Sequence, residues 1–197
     1  VGMNALRDNT TANDNVAVGR EALKLNTTGT QNVAVGAGAL DASTTASYNN
    51  ALGMNALTAN TDGAFNNAFG AASMGANTTG SSNVAMGYNS LGSNSTGGNN
   101  VAIGHQALTS NTASNNTAVG YNVMLDNTTG SHNTAIGRAA MASNTSGVNN
   151  VALGYNSLYF NTTGDQNVAI GKDALGSNTT ADDNTAVGYN ALGANTT

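Results

Sequence analysis

The sequence contains no cysteine, no proline and no tryptophan, and aromatic residues make up only 5% of it. Without cysteine there is no disulfide framework, and with two histidines there is no His/Cys cluster to hold zinc. Charge is equally scarce, at 8% of residues against roughly 25% in an ordinary soluble domain. Five Lys and Arg against ten Asp and Glu leave a net charge of −5, which excludes a broad electrostatic footprint for nucleic acid. No apolar run reaches the length of about 18 residues that a membrane-crossing helix needs. Disorder is not the consequence, since disordered chains combine high charge with few apolar residues. Here 39% of the residues are hydrophobic, and they are placed periodically.

The period is 17 residues. The motif Ala-apolar-Gly marks it, with glycines at Gly2, Gly19, Gly36, Gly53, Gly70, Gly87, Gly104, Gly120, Gly137, Gly154, Gly171 and Gly188. Ten of the eleven intervals are 17 and one, Gly104 to Gly120, is 16. The missing residue falls after Asn111, where a trimmed loop is expected. Asn opens all eleven complete repeats, from Asn15 to Asn184, and Ala precedes each of the later glycines by two, from Ala17 to Ala186. Four residues after the Gly comes Leu or Met in all twelve repeats. Seven after comes Asn in eleven of twelve, Ser43 being the exception. The chain is expected to be a single repeat array over 1–197. Because it starts and stops inside a repeat at Val1 and Thr197, it reads as a processed chain or a segment of a longer array.

A unit of this length cannot enclose a core by itself and must stack on its neighbours, which is the logic of a solenoid. Alternation in Asn-Val-Ala-Val-Gly indicates a strand. The expected rung has that strand, a second extended stretch around Ala-Leu, and an Asn-Thr-Thr-Gly turn whose Gly supplies a positive φ. Parallel strands stack about 4.8 Å apart, so twelve rungs make a rod of about 55–60 Å. The sequence thus predicts an all-β fold, a parallel β-solenoid of about twelve rungs.

The fifteen charged residues all avoid the Asn, Ala, pre-Gly apolar, Gly and Leu columns, which predicts that those columns are buried. Val16 and Val18 share one strand face; Asn15, Ala17 and Gly19 share the other. The expectation is that one face fills the coil and that the small Ala/Gly face packs against sister chains, closed symmetry being the usual outcome. The two Asn columns are expected to form amide ladders between rungs.

Asn32–Gly36, Asn100–Gly104, Asn133–Gly137 and Asn167–Gly171 resemble the N-S-V-A-I-G core of trimeric autotransporter adhesin heads, the YadA-like family; similar runs occur in bacteriophage tail fibres. The resemblance recurs along the whole chain, although this rung is longer by an Asn-Thr-Thr-Gly segment. It implies a left-handed β-roll, a homotrimer around one axis, and display outside the cell, on a cell or virion surface.

Three columns are candidate sites. Directly after the Gly stand Tyr88, His105, Tyr121, Arg138, Tyr155, Lys172 and Tyr189. Ring and cation alternate there, at a spacing suited to cation–π contact; the stripe either stabilises the surface or binds a glycan or receptor. The N-terminal half breaks the pattern with Met3, Arg20, Ala37, Met54 and Ala71. Asn-x-Ser/Thr occurs at Asn9, Asn26, Asn77, Asn94, Asn127, Asn144, Asn161, Asn178 and Asn195, all in one column. Those side chains carry a row of glycans if they point outward, or form a buried ladder, as the plain Asn60 and Asn111 of the same column suggest. Thr follows that Asn in eleven of twelve rungs, with Ser95 the exception. Ice binding would need two outward Thr columns, but adjacent threonines point opposite ways on an extended chain. His105 and His132 share no carboxylate, and Asp182 with Asp183, or Lys172 with Asp173, read as solvated surface, so no catalytic, metal or cofactor site is expected.

The sequence therefore points to a structural fibre or adhesin segment, not an enzyme. Its expected partners are copies of itself and, on the variable columns, surface glycans or a host receptor, with no nucleic acid and no membrane insertion. The alternatives are a self-assembling filament subunit, since solenoid ends expose pairing edges, and a glycan- or ice-binding module.

Overall fold

The computed structural model describes residues 1–196. Eleven strands of three residues follow one another, from β1 (Val16–Val18), β2 (Val33–Val35) and β3 (Asn50–Leu52) to β9 (Val151–Leu153), β10 (Val168–Ile170) and β11 (Thr185–Val187). They pair in chain order as one parallel sheet. Each residue lies beside its own counterpart: Ala17 beside Ala34, Val18 beside Val35, Ala169 beside Ala186. Each strand bonds to both neighbours, as where Val33 N–H donates to Asn49 O and Gly36 N–H to Val18 O, both at 2.8 Å. The fold is a parallel β-solenoid with one strand per rung and no helix among the described residues.

The strand faces are the reverse of the expected arrangement. The Ala column lies inside the coil, with Ala34, Ala51, Ala102 and Ala152 at 0% exposure. The bulky column before the Gly lies outside: Val18 is 43% exposed, Met86 42% and Ile136 43%. A rung with one short strand encloses a narrow interior. Methyl groups fill it from the sheet side, and the Leu column fills it from the opposite side.

That Leu column is not extended either. Leu23, Leu40 and Leu57 are fully buried yet have φ of 49°, 51° and 52°. Left-handed backbone costs an L-residue about 1–2 kcal/mol, whereas burying a Leu side chain contributes about 1.5–3 kcal/mol. Burial thus offsets the strain. The column holds only Leu and Met, because a branch at Cβ makes this conformation much worse. The turn stays bonded between rungs, with Leu23 N–H to Ala39 O and Leu40 N–H to Ala56 O at 3.0 Å.

Positive φ therefore sits in the turn after the strand, at the strand glycine and at the residue before the strand Asn, such as Tyr48 and His132, not at the Gly of Asn-Thr-Thr-Gly as predicted. Gly154 has φ of 135°, and a Cβ there would stand 2.7 Å from the Gly171 carbonyl. The loop column accepts Ala46, Ala113 and Ala181 in place of Gly; what it needs is a small residue beneath the next rung.

Both Asn columns form ladders. In the column that opens the strand, Asn133 Nδ2 donates to Gly147 O at 2.8 Å, and its Oδ1 accepts Asn150 N–H at 2.9 Å. In the second column, Asn144 Nδ2 donates to Gly147 O at 3.1 Å and to Asn127 Oδ1 at 2.7 Å. One loop carbonyl thus receives an amide from each column. The interior is a thin seam of Ala and Leu, closed at the loop end by two polar ladders that share that carbonyl.

The short rung keeps this scheme. Asn111 Nδ2 reaches Ala113 O two residues on, at 2.8 Å, where Asn127 reaches Gly130 three residues on, at 2.9 Å. The absent residue is the second Thr of the loop, and the strands on either side remain in register.

Candidate functional site

Because stacking is in register, residues in one column become neighbours whatever their chemistry. The column after the strand glycine thereby becomes a continuous exposed ladder. Tyr88 and His105 have ring centroids 5.3 Å apart, and His105 and Tyr121 5.2 Å with planes 17° apart. The Arg138 guanidinium lies 5.8 Å from the Tyr121 ring and 5.5 Å from the Tyr155 ring. Lys172 Nζ lies 5.8 Å from Tyr155 and 5.4 Å from Tyr189. All seven residues of the stripe are thus brought together. Alternation separates the cations, and each exposed cation–π contact contributes about 0.5–1 kcal/mol. The ring faces are occupied by neighbours, so the row offers phenol edges and cationic nitrogens to a ligand lying along the rod.

A second aromatic contact went unnoticed in the sequence. Tyr48 and Phe65, one residue before the strand Asn, stack at 4.8 Å with planes 7° apart. Their separation equals the repeat length, which was the available signal. In the same column His132 Nε2 meets Asn115 Nδ2 at 3.3 Å, well along the rung from His105. No group of three or more His, Cys, Asp or Glu that could hold a metal occurs among the described residues.

The sequon column lies mainly inside. Asn26, Asn77, Asn94, Asn127, Asn144, Asn161 and Asn178 are at 0% exposure, and their amide nitrogens donate inward, as Asn77 does to Gly80 O at 3.0 Å. A glycan on any of these seven would require the coil to open. Asn9 is exposed and Asn195 half-buried. In most loops the first Thr uses its hydroxyl between rungs, as Thr128 does on Thr145 O at 2.8 Å, so an ice-facing row would lack those donors.

The loop acids also have work within the fold. Asp165 Oδ1 accepts Val148 N–H, and Asp182 Oδ1 accepts Asp165 N–H, both at 2.7 Å. At the other end, Arg7 donates to both carboxylate oxygens of Asp8 at 2.8 Å. Those hydrogen bonds hold the Asp8 carboxyl below its usual range.

No family model, no curated protein and no solved structure matches this chain.

Proposed function

We propose that the chain is a rod-like structural segment of an extracellular fibre or adhesin, with three copies side by side along their length. One observation carries this reading. The two outward strand columns, those of Val16 and Val18, hold no charged residue in any of the eleven strands, yet Val35, Leu52, Ile103 and Ile170 are 36–39% exposed. The Val18 column is apolar in all eleven strands and forms a continuous strip on the order of 50 Å long, bordered by the mixed Val, Thr and Asn residues of the Val16 column. A strip of that length on a soluble protein marks an interaction surface. Facing strips on copies of one chain are matched rung for rung, and three strips can close around an axis. The resemblance of Asn-Val-Ala-Val-Gly to trimeric adhesin heads favours three copies over two. Attachment to glycans or a receptor would fall to the ring–cation ladder.

A second reading, end-to-end assembly into filaments, draws on Leu192. It is 49% exposed where Leu175 is sealed, and a rung of the same design, from this chain or another copy, would cover it. Native mass spectrometry with negative-stain microscopy on one sample separates the readings. A discrete trimer is expected. Long filaments favour end-to-end stacking, and a stable monomer overturns lateral association.

A further inference from the structure

Two columns after the buried Leu vary most in size. In the rung that opens with β9 they hold Tyr159 and Phe160; one and two rungs on, the Tyr159 column holds Gly176 and Gly193. The rings stand edge to face, 4.6 Å between centroids at 85°. Beside them the glycines leave the surface bare, and a hollow of about 280 Å³ opens across three rungs. Three of its polar lining residues, Asn156, Asp173 and Asn190, come from one column and form a rim, and Ser177 adds a hydroxyl from another.

From this hollow we propose that the C-terminal rungs carry a saccharide-binding subsite for a single pyranoside ring. Its volume lies just under the range of small-molecule sites, roughly 300–1,000 Å³, which suits one ring and not a long oligomer. The aromatic wall matches the C–H face of a pyranose, a surface both apolar and flat. An amide, a carboxylate and a second amide, one rung apart, offer donors and acceptors to successive ring hydroxyls. Asn150 and Asn161 spend their amides inside the coil on Gly164 O, at 2.8 and 2.9 Å; the three rim groups instead border a cavity open to solvent. Lys172 Nζ lies 3.7 Å from the Asp173 carboxylate, so the rim carries little net charge. A neutral polyhydroxylated ligand is thereby favoured over a cation. The hollow is lined by none of the apolar-strip residues and does not depend on the oligomeric reading: assembly is measured separately, and either can fail alone.

The test is saturation-transfer difference NMR on the intact chain with methyl pyranosides of the gluco, galacto, manno and N-acetylglucosamine series. At least one is expected to receive saturation, strongest at its ring C–H protons. Tyr159→Ala is expected to weaken it about tenfold, the scale of one lost aromatic contact. Gly176→Thr fills the hollow with a residue that the same column already holds at Thr58 and Thr109, and is expected to abolish binding. Tyr48→Ala, on another face, is expected to leave it unchanged. Absence of transfer to all four pyranosides overturns the proposal. So does transfer that persists in both Tyr159→Ala and Gly176→Thr, each checked for native circular dichroism.

Discussion

Asn26 Oδ1 and Ser43 Oγ, one rung apart in the same buried column, both lack a hydrogen-bond partner among the described residues. Elsewhere an amide bridges this step, as Asn77 Nδ2 bridges to Asn60 Oδ1 at 2.7 Å. Ser43→Asn should close the gap on both sides. Satisfying buried polar groups of this kind contributes about 1 kcal/mol each, so the variant is expected to unfold at a higher denaturant concentration by roughly 1–2 kcal/mol. An unchanged or lowered midpoint would show that the ladder contributes nothing at this step.

The opposite change should be severe. Asn133→Ala strands the Asn150 N–H and leaves the Gly147 carbonyl with Asn144 as its one remaining amide donor. A buried group left unpaired costs about 1–3 kcal/mol, and a loss of that size is expected in chemical denaturation. Hydrogen exchange should localise it: the Asn150 amide is expected to lose protection first.

Shape at constant volume separates backbone strain from packing. Leu91→Ile keeps the side-chain size but places a Cβ branch at φ of 50°, with an expected cost of about 1–3 kcal/mol. Leu91→Met is expected to cost under about 1.5 kcal/mol, since Met74, Met124 and Met141 occupy the same column. Equal midpoints for the two variants would contradict this account of why the column excludes Ile and Val.

Ile103→Lys combined with Ile136→Lys places two charges on the exposed apolar strip without touching the interior. The double variant is expected to keep native circular dichroism while its sedimentation coefficient falls to that of a monomer. Retention of the assembled species would remove the strip from the interface.

Arg138→Ala breaks two ring contacts at once. Because the ladder is solvent-exposed, the thermal cost should be only about 1 kcal/mol. A much larger loss would mean that the stripe is structural above all; a small one leaves it available for recognition.

The rung length, the two Asn ladders and the alternating stripe were legible in the sequence, since each is a matter of counting along columns. The inward direction was not. Alternation shows that Val18 and Ala17 face opposite ways, but both columns lack charge, and only the cross-section of the coil decides which one enters it. The left-handed Leu turn was half legible: the exclusion of Ile and Val from that column is its trace, masked because Ala-Leu also reads as ordinary buried strand. Ala46, Ala113 and Ala181 similarly argued against a positive φ at the loop Gly. The hollow beside Tyr159 depends on what Gly176 and Gly193 fail to fill, and such a contrast shows only when rungs are laid over one another.

In-register stacking also dictates how the rod would yield when pulled from its two ends. Load applied along the axis falls on the outermost rung first, and detaching that rung leaves the next one in the same predicament. Each event frees one repeat of chain, about 60 Å fully extended, in exchange for about 5 Å of rod. Stretched in an atomic force microscope, the protein should therefore give a regular sawtooth with steps of about 55 Å, shedding extension one rung at a time instead of snapping.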